Sequence, residues 1–268
     1  MDTPVASNAV AATTVTEPTV AETTVVETTV ADTPSIEASL SKISLNINKF
    51  ADAAAAGNSR ALEFSSRNLG KEIDLLLMFE PPKVGKLYVD LFPVVWKVLS
   101  FSATGISSAD VEYTADTGFF VPQAKSGNRV AASNAQRCQT GEKVTLKNNL
   151  NGNGQYFTPA VAGTPGVMQA LNGTERPADM GIGFFNDAGT KMEPALVWNN
   201  VAKNSTLSVQ LTPKLKIYAV SDYKVTELIK GDIQSPLLFE KNLISLSSFT
   251  ELTVSIHPVT GEVKITQE

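Results

Sequence analysis

The chain has 268 residues, 43% hydrophobic and 18% charged, a composition that supports a folded apolar core of one large β domain with an appendage, or two small domains. Residues 1–34 hold Asp2, Glu17, Glu22, Glu27 and Asp32 and no Lys or Arg, so the rest of the chain balances 22 basic residues against 22 acids, the total of 27 less these five. A neutral body with five arginines and no basic run argues against a nucleic-acid backbone as ligand and against polybasic attraction to an anionic bilayer.

The first 34 residues repeat a five-residue unit: Thr14-Val15-Thr16-Glu17, Thr19-Val20-Ala21-Glu22, Thr24-Val25-Val26-Glu27 and Thr29-Val30-Ala31-Asp32. A period of five fits neither a strand nor a helical face, and Pro4, Pro18 and Pro34 interrupt it. With no Leu or aromatic side chain to bury, the segment is expected to be a disordered acidic tail. The N-terminus lacks the basic and continuous apolar parts of a signal peptide, and no run approaches the ~20 apolar residues of a membrane span, so the chain reads as cytoplasmic.

From Ser35 the pattern becomes helical: Ile36, Leu40, Ile43, Ile47, Phe50 and Ala54 fall on one face, with Ser35 as cap and Gly57-Asn58 as stop. Ser59 to Phe79 carries Leu62, Leu69, Ile73, Leu76 and Leu77 and ends at Pro81-Pro82, which predicts a second helix and an αα-hairpin within a helical segment 35–102. Residues 84–101 fit helix or strand, and Pro93 interrupts both.

Beyond Ala103 apolar and polar residues alternate as in half-buried strands. Leu207 to Leu211 and Leu215 to Ala219 show it, and Leu252 to Ile256 with Val263 to Ile265 flank the turn Pro258-Val259-Thr260-Gly261. Shorter strand signals lie at Val111 to Tyr113, Phe119 to Val121, Val144 to Leu146, Ile182 to Phe185, Ala195 to Trp198, Lys224 to Ile229 and Leu237 to Glu240. Many short strands without interleaved helices predict a mainly β chain: a β-sandwich or jelly roll over 103–268, antiparallel, preceded by the helical segment. That layout resembles, in architecture alone, small cytolytic and lectin-like fruiting-body proteins of fungi.

Catalytic and metal-binding patterns are weak. His257, the single histidine, sits at a strand end beside Pro258, the place of an ordinary surface imidazole. The single cysteine, Cys138, reads as a small buried apolar residue, with one neighbouring cation and no histidine to activate it. Ser39-Leu40-Ser41-Lys42 matches Ser-x-x-Lys without companion motifs, and Gly152-Asn153-Gly154 and Gly181-Ile182-Gly183 lack the third glycine of a dinucleotide loop. Asp110 and Glu112 share a strand face, the usual arrangement of solvated acids, and Asn172 and Asn204 begin glycosylation sequons. No cofactor or metal is expected.

The stretch from Asn148 to Asp179 is rich in Asn, Gly, Pro and Thr, and such loops on a rigid sandwich commonly bind. The expected function is therefore non-enzymatic recognition of a glycan or protein partner, with Tyr156, Phe157, Trp198, Asn199 and Asn200 as binding residues and homo-oligomerisation left open. Two alternatives stand beside it: a membrane-active protein, lipid-binding or pore-forming, that uses residues 36–54 as an amphipathic helix in peripheral contact with a bilayer, and an enzyme whose carboxylates carry no local motif.

Overall fold

The computed structural model describes residues 58–83, 85–210 and 212–268, and within them the regular structure is eighteen strands and one 3-10 turn, Leu243–Ser245. In chain order the strands are β1 (Arg60–Arg67), β2 (Ile73–Phe79), β3 (Leu91–Pro93), β4 (Lys97–Phe101), β5 (Ile106–Tyr113), β6 (Thr117–Ala124), β7 (Val130–Arg137), β8 (Glu142–Asn148), β9 (Gln155–Phe157), β10 (Val161–Ala162), β11 (Met168–Asn172), β12 (Ala178–Phe185), β13 (Met192–Val201), β14 (Thr206–Val209), β15 (Lys214–Ala219), β16 (Leu237–Asn242), β17 (Phe249–Ile256) and β18 (Val263–Gln267). No helix among the described residues is long and apolar enough to cross a membrane.

The strands form four sheets, ordered β18-β17-β1-β5, β16-β15-β2-β4, β3-β13-β12-β6-β7 and β10-β8-β11-β14, with β9 on β8. Neighbours are antiparallel except β1 with β17 and β8 with β11. The expected alternation places Leu62, Phe64, Leu252 and Val254 of the first sheet in one buried cluster with Leu75, Leu77, Leu215 and Ile217 of the second, a sandwich-like pair. Met180 and Ile182 of the third sheet join Val144, Leu146 and Ala170 of the fourth in the same cluster.

The second predicted helix is a misreading that the structure corrects. In β1, Arg60, Leu62, Phe64 and Ser66 are buried while Ala61, Glu63 and Ser65 are half-buried, the period of a strand. Asn68 and Gly70, at φ 49° and 79°, turn the chain into β2. The helical look of Leu75 to Phe79 arises because β2 is buried on both faces, so its apolar run has no alternation to show. Residues 60–101 therefore belong to the sheets, and β1 lies between β17 and β5, so no boundary falls at 102. The acidic tail and the helix expected at 36–54 lie outside the described residues.

Pro93 ends β3, an edge strand, where its missing N–H costs no ladder bond. Lys224 to Ile229 is not a strand; it belongs to a strap, residues 220–236, that covers outer sheet faces. Leu228 packs with Val94, Phe120 and Phe185 over the third sheet, and Ile229 with Leu76, Met78 and Val95 over the second. Backbone bonds hold it: the Val95 N–H donates to the Glu227 carbonyl (2.9 Å), and the Ile229 N–H to that of Pro93 (2.9 Å). The Tyr88 hydroxyl, pushed up to about 12 by burial, bonds to Asp232 of the strap.

Four aromatic rings join three of the sheets. Phe79 of β2 lies 4.8 Å from Trp96 and 4.6 Å from Phe184 of β12, and Tyr113 of β5 lies 4.9 Å from Phe184. On the other face of the third sheet, Gly181 leaves room for Phe120: a Cβ there would stand 2.1 Å from the ring's Cζ.

Two substitutions test this packing. Phe79→Ala, which removes the central ring, is expected to lower the unfolding free energy by about 3–5 kcal/mol in a denaturant titration. Gly181→Ala is expected to cost about 1–3 kcal/mol, and Phe120→Leu in the same chain to recover part of that loss.

Candidate functional site

A cleft of about 770 Å³ opens on the outer face of the third sheet, and two hairpins and the strap build its rim. The β6–β7 turn brings Lys125 and Arg129, the β12–β13 turn brings Lys191, and the strap brings Val225 and Thr226. The floor is apolar: Phe185, Met192 and Val130 are buried, and the small residues Ala131, Ala132 and Ala135 of β7 keep it shallow.

Both turns are held by their own sequences. The Lys125 N–H donates to the Arg129 carbonyl (2.8 Å) across Ser126-Gly127-Asn128, with Gly127 and Asn128 at φ 73° and 56°. In the other, the Asn186 side-chain oxygen accepts the N–H groups of Thr190 (3.0 Å) and Lys191 (2.8 Å), an Asn brace that fixes the loop.

The charge of the cleft is unbalanced. Lys97, Lys125, Arg129 and Lys191 line it against the single acid Glu193, which is already engaged: one carboxylate oxygen accepts the Trp96 indole N–H (2.7 Å), the other pairs with Lys97 (2.6 Å). Among the described residues, Lys125, Arg129 and Lys191 have no carboxylate within ion-pair distance. Thr226, a β-branched residue at φ 70°, is held in that strained geometry because its N–H donates to the Val95 carbonyl and its own carbonyl accepts the Val130 N–H, both at 2.8 Å.

At Asn134 the cleft meets a second depression of about 340 Å³, lined by Gln123, Asn148, Gly152, Gly154 and Gln155. β7 is the edge strand here and bulges: Phe119 pairs with Gln136 and Val121 with Ser133, so Asn134 and Ala135 together face Phe120. Asn134 takes the left-handed conformation, φ 44°, and its side-chain amide donates to the Gln155 carbonyl (2.6 Å). Gly152 and Gly154 thus serve as turn glycines of an amide-lined surface.

The residues expected from sequence to bind are dispersed. Tyr156 is half-exposed on β9 opposite Lys147, whereas Phe157 is buried, 5.9 Å from Phe119, and offers no face to a ligand. Trp198, 6% exposed, borders a separate cavity of about 400 Å³ with Pro81, Leu207 and Gln210, so it belongs to the core rather than to a stacking platform. The Asn199 N–H donates to the Asp90 carbonyl (2.8 Å), and Asn200, at φ 54°, donates its N–H to the Asp179 carboxylate (2.9 Å). Of the loop expected to bind, its beginning, Asn148 to Gln155, lines the depression.

Other singled-out residues have structural work. His257 Nδ1 accepts the Thr260 N–H (3.1 Å) and so caps the terminal hairpin. Asn172 of the first sequon is fully buried: its amide donates to the carbonyls of Arg176 (2.9 Å) and Val201 (2.8 Å), and its oxygen accepts from the Thr174 hydroxyl (2.7 Å) and N–H (3.0 Å). Asn204 of the second is exposed. Asp110 stands beside Glu63, which pairs with Glu251, on an exposed face, and burial together with Asp187 raises the Glu112 carboxyl above its usual range. No group of three or more His, Cys, Asp or Glu placed to hold a metal occurs among the described residues.

No family model, curated protein or solved structure matches this chain.

Cys138 is fully buried and its thiol is pushed up to about 11 by that burial. It is expected to stay unreacted with a disulfide-exchange reagent in the native protein at about pH 7.5, and to titrate only once denaturant opens the core.

Proposed function

We propose that this chain is a non-enzymatic glycan-binding protein whose ligand lies along β7, across the cation-rimmed cleft and the amide-lined depression. The observation that carries the reading is that Asn134, at the bulge of the edge strand β7, borders both surfaces, so that the cleft and the depression meet around that edge. Sugar hydroxyls donate and accept, and amides of Gln123, Asn134, Asn148 and Gln155 answer both roles. The small residues Ala132 and Ala135 leave room on the floor for the C–H face of a pyranose ring. A bulge on an edge strand is a common device for aiming side chains at a ligand, and the strained Thr226 stands in the wall of the same cleft.

The full-length chain is expected to bind a subset of a glycan array saturably. Ala135→Trp, which fills the floor from an exposed position, is expected to weaken that binding by about tenfold or more with an unchanged melting temperature. Asn134→Gly keeps the left-handed backbone while removing the amide, and about tenfold is expected from the lost hydrogen bond. Absence of any saturable glycan, or binding indifferent to Ala135→Trp, would overturn the proposal.

A further inference from the structure

Resting on that reading, we infer that the glycan is anionic and that its sulfate or uronic carboxylate groups are held by Lys125, Arg129 and Lys191. The chain beyond residue 34 is formally neutral, yet four of its cations converge on one cleft whose only acid is spent on Trp96 and Lys97. Like charges gathered around one concave opening focus a positive potential there, and an anion relieves their mutual repulsion.

The geometry is prepared before any ligand arrives. Lys125 and Arg129 flank one hydrogen-bonded turn, and Lys191 ends another that Asn186 braces, so two hairpins present cations to the same opening. Their exposed side chains need no desolvation to remain charged, and an arginine fork matches the paired oxygens of a sulfate or carboxylate. The aromatic side chains that line the cleft, Trp96 and Phe185, are 2% and 7% exposed, so no ring face is offered to a nucleic-acid base. Val225 is its exposed large apolar side chain, too little to enter a bilayer.

The test is calorimetric titration of the full chain with two charged oligosaccharides, a heparin hexasaccharide and an oligogalacturonate, and with their desulfated and methyl-esterified neutral counterparts. At least one charged sugar is expected to bind about tenfold or more tighter than its neutral form, with the preference shrinking as salt rises. The triple variant Lys125→Gln, Arg129→Gln, Lys191→Gln is expected to bring the charged sugar to the affinity of the neutral one. Equal affinity for charged and neutral forms, or a preference that survives the triple variant, would overturn the anionic assignment and leave the glycan reading standing, provided Ala135→Trp still weakens binding. Failure of all four sugars would remove both. Tighter binding to phosphatidylserine vesicles or to an oligothymidylate would also overturn the assignment, by giving the cleft to a lipid or a nucleic acid.

Discussion

Phe79, Trp96, Tyr113 and Phe184 come from the second sheet, the β3–β4 link, the first sheet and the third sheet, and the Phe79 ring lies 4.6–6.1 Å from each of the other three. Edge-to-face and tilted packing of this kind adds to the burial of each ring, and it joins surfaces that backbone pairing leaves separate. Trp96 carries the contact outward: its indole donates to Glu193, and Glu193 and Lys97 both line the cleft. The position of the proposed binding surface is thus set from the core.

Burial on both faces explains why the sheets look as they do. The third sheet buries Met180, Ile182 and Phe184 on one side and Phe120, Phe185 and Met192 on the other, and glycines at 118, 181 and 183 give those rings and the methionine room to lie close to the backbone. The strap completes that second face, tied by main-chain bonds to residues 93–95 and to the β6–β7 turn. Where it ends its cover, at Val225 and Thr226, the cleft begins. Strain at Thr226 is sustained there because bonds on both sides of the residue hold it.

A protein of balanced charge can still bind an anion if its cations are gathered in one place. Some cations elsewhere are paired: Lys214 and Lys216 share Glu80 and Glu240 on the second sheet, which holds both of those carboxyls below their usual range, and Arg137 pairs with Asp116 at 2.9 Å while its guanidinium covers Phe185. Such exposed pairs add little stability. What gives the cleft its character is the gathering of Lys125, Arg129 and Lys191 around one opening whose single acid, Glu193, is engaged by Trp96 and Lys97.

Local sequence carried a good deal of this. Alternation in Leu215 to Ala219 and Leu252 to Ile256 specifies half-buried strands because side chains two apart share a face, and Asn-Gly-rich turns disclose their bends through residues that tolerate positive φ. Cys138 was legible as a core residue from its small apolar character. What local pattern could not carry was contact between distant segments. β2 lost its alternation to a second covering layer, and Trp198 and Phe157 were drawn inward by neighbours far along the chain. Likewise Asn172 fills all its bonding capacity inside the fold, though its triplet reads as a surface sequon. The cleft cations, at positions 97, 125, 129 and 191, form no run in sequence and became one site only when β4 and two hairpins brought them to the same opening. Periodicity is a property of neighbours along the chain, whereas a binding surface is a property of neighbours in space, and long-range pairing alone relates the two.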